Sequence, residues 1–130
     1  MKILGIGVDI IENKRVSKSI RNSKFKKRIF SEKELKQASL LKNKTNYFSK
    51  RFAAKEAFAK ALGTGFRKHL NFRDIEIINN KIGKPDYNKN KKITKLIQKN
   101  FNVKEYDCFL SISDENDYST AFAIIQSKWN

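Results

Sequence analysis

The sequence predicts a small α+β protein in which a mainly antiparallel sheet wraps around one long central helix. Three observations support this prediction. The chain has 130 residues, a length typical of one domain. Residues 46–62 are rich in alanine and form the clearest helical pattern. Apolar, strand-like segments lie near both ends of the chain. Because neither a repeat nor a linker interrupts the sequence, we expect a single domain over residues 1–130.

The first part of the chain predicts a strand followed by a basic helix. In residues 2–10, Gly5 and Gly7 alternate with apolar residues, as in a buried strand that another backbone approaches closely. Residues 13–29 are polar and basic, with apolar residues about one turn apart. This pattern is typical of an amphipathic helix.

Capping signals mark the next two helices. Ser31 and Glu34 have the spacing of a capping box, which predicts that a short helix begins at Ser31. Residues 42–46 are predicted to be a loop. The helix over residues 46–62 ends at Gly63, a residue type typical of helix C-caps.

The last part of the chain predicts three strands and one helix. The first of these strands is short and precedes a turn that contains Gly83 and Pro85. The predicted helix is basic. The last two strands form a hairpin around an acidic turn. In chain order, the predicted segments are strand 72–79, turn 81–85, helix 89–100, strand 103–113, turn 114–117 and strand 117–126.

Composition excludes several classes of protein. One cysteine, Cys108, cannot form an internal disulfide, so a disulfide-rich secreted scaffold is excluded; we expect this residue to be a small buried apolar group. No apolar run is long enough to span a membrane, and Asp9 comes too early for a signal peptide. We therefore expect a cytoplasmic protein without a membrane partner. The only histidine, His69, is expected to lie at the surface.

Positive charge is concentrated in one part of the chain. The formal net charge is +16. Residues 13–60 contain 16 basic and 3 acidic residues, whereas residues 105–130 contain 1 basic and 5 acidic residues. Such a field attracts nucleic acid, anionic lipid, nucleotide phosphates or an acidic protein. A basic nucleic-acid-binding module is one interpretation, although no recognised nucleic-acid motif is present.

Two acidic residues are candidates for a metal site. Asp9 lies near the end of an apolar strand, and Glu56 lies on the alanine-rich helix. If the fold brings them together, they repel each other unless a cation such as Mg²⁺ lies between them. Alternatively, each forms its own salt bridge. Glu56 shares a helix face with Lys60, and the glycines that follow allow a phosphate to approach the backbone. A helix C-cap alone also explains Gly63.

Two segments together resemble a known family. Residues 5–12 read Gly-Ile-Gly-Val-Asp-Ile-Ile-Glu, and residues 51–65 read Arg-Phe-Ala-Ala-Lys-Glu-Ala-Phe-Ala-Lys-Ala-Leu-Gly-Thr-Gly. In order and spacing they resemble holo-acyl-carrier-protein synthase, the small bacterial phosphopantetheinyl transferase. The similarity continues through residues 72–77, residues 83–85 and the final strand pair, so it extends over nearly the whole chain.

The resemblance implies a transferase of fatty acid biosynthesis. Members of the family transfer 4′-phosphopantetheine from coenzyme A to a serine of apo-acyl carrier protein and release adenosine 3′,5′-bisphosphate. They form homotrimers with the active site between neighbouring subunits, so we expect this chain to form a trimer. Asp9 and Glu56 match the magnesium ligands, and Lys60 matches the lysine near the pyrophosphate. The general base is either a water on the metal or Glu56.

The resemblance also assigns the two substrates to residues. Ser113 and Asp114 match a strand in which many members have Ser-x-Ser-His. Because Asp114 replaces that histidine, a histidine contact with phosphate is not expected, and Asp114 is a candidate for a water-mediated contact with the metal. The other positions that match the coenzyme A site are Arg51, Lys55, Lys60, Gly63, Thr64, Gly65, Gly83, Lys84 and Pro85. The positions expected to bind the acidic carrier protein are Arg15, Arg21, Lys24, Phe25 and Arg28.

Overall fold

The computed structural model of the protein describes residues 1–66 and 70–128. The prediction for His69 lies outside these residues. The helices in this part of the chain are α1 (Asn13–Ser19), α2 (Ser23–Ile29), α3 (Glu32–Ser39), α4 (Lys44–Leu62) and α5 (Lys91–Phe101). The strands are β1 (Lys2–Glu12), β2 (Ile77–Asn79), β3 (Pro85–Tyr87), β4 (Tyr106–Asp114) and β5 (Tyr118–Ser127), and one 3₁₀ turn spans Phe72–Asp74.

The main sheet has three antiparallel strands in the order β1-β5-β4. β1 pairs with β5 over almost its full length, from Lys2 opposite Ser127 to Glu12 opposite Tyr118. β4 and β5 form the predicted hairpin. β2 and β3 form a separate two-stranded sheet. Since α4 packs along one face of the main sheet, the predicted α+β fold with a long central helix is confirmed.

Two glycines allow β1 to lie directly against α4. A methyl group added at Gly5 would lie 1.8 Å from the carbonyl oxygen of Ala61, and one added at Gly7 would lie 1.8 Å from that of Ala57. Any side chain at either position would therefore force the strand away from the helix. The predicted close approach of a second backbone to this strand is confirmed.

The core has two parts. Small residues of α4, including Ala53, Ala57 and Ala61, pack against inward-facing residues of the sheet such as Ala123 and Ile125. A second cluster lies beneath the first three helices, where residues of α1, α2 and α3 meet aromatic residues near the start of α4; its members are Val16, Ile29, Phe30, Ala38, Tyr47 and Phe48. α4 is therefore shared by both parts of the core.

Two predicted elements are corrected by the structure. The basic helix over residues 13–29 is two helices: α1 ends at Ser19, and Asn22 starts α2 by accepting from the backbone N–H groups of Lys24 and Phe25. The predicted strand over residues 72–79 is a strand only at its end. Its first residues form the 3₁₀ turn, since the Asp74 carboxylate accepts from the backbone N–H of Asn71 and the chain folds back locally.

Two further predictions concern Cys108 and the membrane. Cys108 packs against the core, and burial raises the pKa of its thiol to about 12. The thiol therefore stays protonated at neutral pH, which agrees with the predicted apolar role. Among the residues that the structure describes, no helix is both long enough and apolar enough to cross a bilayer.

Candidate active site

The first element of the site is an ion pair between β1 and α4. The Lys60 ammonium donates to Asp9 Oδ1 at 3.1 Å and to the carbonyl oxygen of Val8 at 3.0 Å. The Asp9 side chain is 16% exposed and the Lys60 side chain 55% exposed, so the pair opens to solvent. The close packing of Gly7 on Ala57 places this part of β1 against α4.

Glu56 lies one helical turn before Lys60 on the same open face of α4. Burial raises the pKa of the Glu56 carboxyl group, the negative charge of Asp9 raises it further, and Lys60 acts in the opposite direction. Lys60, which donates to Asp9 at 3.1 Å, lies one turn from Glu56 on α4, so both acidic side chains adjoin the same lysine. The structure thus brings the two predicted acidic residues together, with Lys60 beside them.

This carboxylate pair has the chemistry of a hard-cation site. Two half-buried carboxylates of like charge gain stability from a cation between them. Mg²⁺ is typically bound by one or two carboxylates and completes its shell with water and substrate phosphates. No group of three or more His, Cys, Asp or Glu residues suited to a metal occurs in the described ranges. The two carboxylates fit a Mg²⁺ ion whose other ligands are water and substrate phosphates, because Mg²⁺ needs only one or two carboxylates from the protein.

The structure contradicts the prediction that Lys55 binds coenzyme A. Its side chain is fully buried, and its ammonium donates to Glu34 Oε1 at 2.8 Å and to the carbonyl oxygens of Phe72 and Ile75 at 3.0 and 2.6 Å. All three N–H donors are therefore used within the protein. Lys55 does not line a coenzyme A pocket; it is a core cation that joins α3 and α4 to the segment before β2.

Arg51 is also buried, one turn before Lys55. Its guanidinium lies over the Tyr47 ring, 3.8 Å from the ring centroid. Nη2 donates to Gln37 Oε1 at 3.4 Å and to Asn79 Oδ1 at 3.3 Å, and within the described ranges Nε has no partner. Arg51 thus lies between α3 and the end of β2, where the chain turns toward residues 83–85.

Two glycine-containing turns are among the segments predicted to bind coenzyme A. Gly63 ends α4 with a φ of +81°, and Thr64 and Gly65 follow directly after the turn of helix that contains Lys60. In the second turn Gly83 has a φ of +83°, and the Lys84 ammonium donates to the carbonyl oxygen of Leu110 at 3.1 Å. The first turn adjoins the site in the sequence, whereas the second is tied to β4.

The end of β4 contacts the start of α4. Asn46 Nδ2 donates to Asp114 Oδ2 at 2.8 Å, so one oxygen of this carboxylate is bound by the first turn of α4. Ser113 lies opposite Thr120 of β5 and lines a small crevice with Ile10 and Tyr118. The contact between Asn46 and Asp114 could not be predicted from local patterns, because it joins residues far apart in the chain.

The four basic residues expected to bind a carrier protein are exposed, and Phe25, the apolar residue of the same set, is half-buried. Phe25 stacks with Phe52, at a centroid distance of 6.3 Å, and Phe52 stacks with Phe72 at 5.4 Å. Because Phe52 lies one turn before Glu56 on α4, this aromatic row connects the basic surface to the open helix face of the site. The surface itself comprises Arg15 on α1, Arg21 in the connection to α2, and Lys24, Phe25 and Arg28 on α2.

Comparison with known proteins gives the family of the chain. A sequence model described as the 4′-phosphopantetheinyl transferase superfamily matches residues 5–123, which include Asp9, Glu56 and Lys60. The holo-[acyl-carrier-protein] synthase of Pelagibacter ubique is 56% identical over 128 residues, which cover 98% of this chain and 100% of that protein. The chain belongs to the holo-acyl-carrier-protein synthase family. It is therefore an enzyme of the phosphopantetheinyl transferase type, and the nucleic-acid-binding interpretation loses its support.

Solved structures of the holo-acyl-carrier-protein synthase family share this fold. The synthase of Neisseria meningitidis superposes with a TM-score of 0.86 at 37% identity, over 96% of this chain and 99% of that one. The synthase of Bacillus anthracis, solved in complex with CoA (3′,5′-ADP), has a TM-score of 0.81 at 37% identity, over 98% of this chain and all of that one. Coenzyme A is thus a ligand of a relative with the same overall architecture.

Proposed function

We propose that the enzyme transfers 4′-phosphopantetheine from coenzyme A to a serine of apo-acyl carrier protein, in a Mg²⁺-dependent reaction that releases adenosine 3′,5′-bisphosphate. In this proposal the enzyme acts in the cytoplasm and supports fatty acid biosynthesis. The observation that supports it most directly is the meeting of Asp9 and Glu56, with Lys60 donating to Asp9 at 3.1 Å, in a chain 56% identical to a holo-[acyl-carrier-protein] synthase.

The proposed chemistry uses the side chains of Asp9, Glu56 and Lys60. Asp9 and Glu56 would bind Mg²⁺, which supplies neutralisation of charge on the pyrophosphate when bound. The serine oxygen forms a bond to the phosphorus of the pantetheine phosphate, and the bond from that phosphorus to the bridging oxygen breaks. Lys60 stabilises the negative charge on the departing bisphosphate. Glu56 is also a candidate for the general base that accepts the serine proton.

The proposed coenzyme A site combines the open face of α4 with the two turns. Lys60 and the turn after α4 lie next to the reacting phosphates, and Arg51 lies toward the second turn. Lys55 is not part of this site, because its three donors are used in the core. The proposed set is Arg51, Lys60, Gly63, Thr64, Gly65, Gly83, Lys84, Pro85, Ser113 and Asp114.

We further propose that the enzyme is a homotrimer with active sites between subunits. The face of the main sheet opposite α4 exposes apolar side chains from all three strands, among them Val8 at 55%, Phe109 at 47% and Phe122 at 41%. Val8 lies directly opposite Phe122 in the sheet, so the patch is contiguous. Contiguous apolar patches of this kind mark protein interfaces.

Sedimentation tests the trimer. We expect a mass about three times that of one 15.2 kDa chain, and we expect Phe122→Glu to shift it to that of a monomer, because a charge would be buried in the interface. Lys99→Glu, on the exposed side of α5, is the control and should leave the mass unchanged. A monomeric mass for the unmodified chain at micromolar concentration would contradict the proposal.

The basic surface makes a prediction about substrate selection. The double variant Arg15→Glu with Arg21→Glu should raise the KM for the carrier protein about tenfold, because it replaces attraction of an acidic partner by repulsion. The KM for coenzyme A should not change. Steady-state kinetics at low and high salt measure both constants, and the difference should shrink as salt screens the charges. Lys95→Glu with Lys99→Glu, which changes net charge equally on α5, should leave the carrier KM unaltered.

Mass spectrometry tests the proposed function directly. Apo-acyl carrier protein incubated with the enzyme, coenzyme A and Mg²⁺ should gain the mass of one phosphopantetheine group on a serine. Omitting Mg²⁺ or adding a chelator should prevent the gain. If the carrier protein stayed unmodified in the presence of the folded enzyme, intact coenzyme A and Mg²⁺, the proposal would be refuted.

A further inference from the structure

Asn13 is a buried polar residue for which the proposed chemistry has no use. It is the first residue of α1 and follows directly after the last residue of β1. Only 3% of its surface is exposed. A buried side-chain amide is costly unless its donors and acceptor are paired, so its partners are informative.

Among the described residues, the hydrogen bonds of Asn13 to other elements all go to the hairpin that β4 and β5 form. Its Nδ2 group donates to the carbonyl oxygens of Glu115 and Asn116 at 2.9 and 3.0 Å. Its Oδ1 accepts from the Ser119 hydroxyl at 2.8 Å, and its backbone N–H donates to the carbonyl oxygen of Asp117 at 2.8 Å. Both amide protons and the side-chain oxygen are therefore used to bind one turn.

The position of α1 depends strongly on this contact. α1 has only seven residues, and its N-cap Glu12 makes no side-chain capping bond. A helix this short is not stable by itself in water. Its anchors are the apolar contact of Val16 with the second core cluster and the four hydrogen bonds of Asn13.

Asn13 lies between the proposed metal site on β1 and the proposed carrier surface on α1. Asp9 precedes Asn13 by four residues on β1, about 13 Å along an extended strand, and Arg15 of the proposed carrier surface follows it by two residues. The direction in which α1 leaves the sheet therefore sets where a docked carrier protein lies relative to Asp9. Since phosphoryl transfer depends on alignment of the attacking oxygen, this direction matters for catalysis.

We propose that Asn13 is a positioning residue for the acceptor substrate, which acts by fastening the hairpin turn to the start of α1. The proposal rests on the proposed function, because it concerns the path of the carrier serine to the phosphate. It assigns Asn13 no contact with either substrate. Asparagine is suited to this role, since an aspartate would place a carboxylate against two carbonyl oxygens.

The test is a comparison of kinetics for the two substrates. In Asn13→Ala, kcat/KM for the carrier protein should fall at least about fivefold, the change that corresponds to one net hydrogen bond. The KM for coenzyme A should change less than about twofold, because the variant leaves Asp9, Glu56 and Lys60 in place. Hydrogen exchange measured by mass spectrometry should be faster in α1 and in the hairpin turn, with the rest of the chain unchanged.

Two further variants sharpen the test. Asn116→Ala is the matched control: it is the same substitution in the same contact, but Asn116 contributes only its backbone carbonyl oxygen, so its kinetics should be those of the unmodified enzyme. Ser119→Ala removes one of the four hydrogen bonds and should give a smaller change in the same direction as Asn13→Ala.

The outcomes separate this proposal from the proposed function. The proposed function stands if the unmodified enzyme transfers phosphopantetheine. In that case, the positioning role is refuted if Asn13→Ala has the normal kcat/KM for the carrier protein. It is also refuted if kcat/KM falls equally for the carrier protein and for coenzyme A. If the unmodified enzyme shows no transfer, the proposed function itself fails. Should Asn13→Ala not fold, Ser119→Ala decides, because an unchanged kcat/KM for the carrier in that variant would overturn the positioning role.

Discussion

Replacing Asp9 by Asn, or Glu56 by Gln, should lower Mg²⁺-dependent transfer about a thousandfold. Each change keeps the shape of the side chain but removes its negative charge, so the proposed site loses half of its protein charge. A bound metal supplies several kcal/mol of transition-state stabilisation, and about 4 kcal/mol corresponds to a thousandfold change in rate. Initial rates of carrier modification, measured over a range of Mg²⁺ concentrations, give the effect.

The control is Glu105→Gln, an equal change of charge at an exposed position. It should leave the rate unchanged at every Mg²⁺ concentration. The thermal stability of Asp9→Asn and Glu56→Gln should stay close to that of the unmodified enzyme: each removes repulsion between two carboxylates, and the Asp9–Lys60 pair lost in Asp9→Asn is partly exposed and contributes little. If either variant reached a tenth of the normal rate at saturating Mg²⁺, the cation would have to bind elsewhere.

Replacing Lys55 by Met should destabilise the fold by about 3–5 kcal/mol. The substitution fills similar space but leaves the Glu34 carboxylate buried without its cation, and it leaves the carbonyl oxygens of Phe72 and Ile75 without a donor. Removing one partner of a buried ion pair is far more costly than replacing both. Urea denaturation at neutral pH measures the change in free energy of unfolding.

Lys60→Met is the matched control, because it makes the same chemical change five residues away on the same helix. The pair between Lys60 and Asp9 is partly exposed, so its loss should change stability by less than about 1 kcal/mol while it lowers activity. A double variant, Lys55→Met with Glu34→Gln, should recover part of the stability lost in Lys55→Met. If Lys55→Met unfolded at the same urea concentration as the unmodified enzyme, the ion pair would have no structural role.

Local patterns in the sequence predicted the elements whose causes are local. The glycines of β1, the capping box of Ser31 and Glu34, and the alanine-rich α4 each have a short-range signal, and the structure confirms them. The apolar spacing across residues 13–29 does not predict the break between α1 and α2; the residue that marks it is Asn22, because asparagine caps helices.

The environment of Lys55 could not be predicted in the same way. Its partner Glu34 is on another helix, and the carbonyl oxygens it binds belong to Phe72 and Ile75. No periodicity in the sequence distinguishes a lysine that points into such a cluster from one that points to solvent. The pairing of Asp9 with Glu56 was implied by the family resemblance, whereas the residues alone also allowed a separate salt bridge for each acid.

The close packing of β1 on α4 has a consequence for how the enzyme can fail. The spacing between the acidic residue on the strand and the one on the helix is dictated by two absent side chains, those of Gly5 and Gly7. A single extra methyl group at either position would push β1 away from α4 and increase the distance between Asp9 and Glu56. Affinity at the proposed Mg²⁺ site would therefore be lost through an inherited change at a position that does not contact the ion.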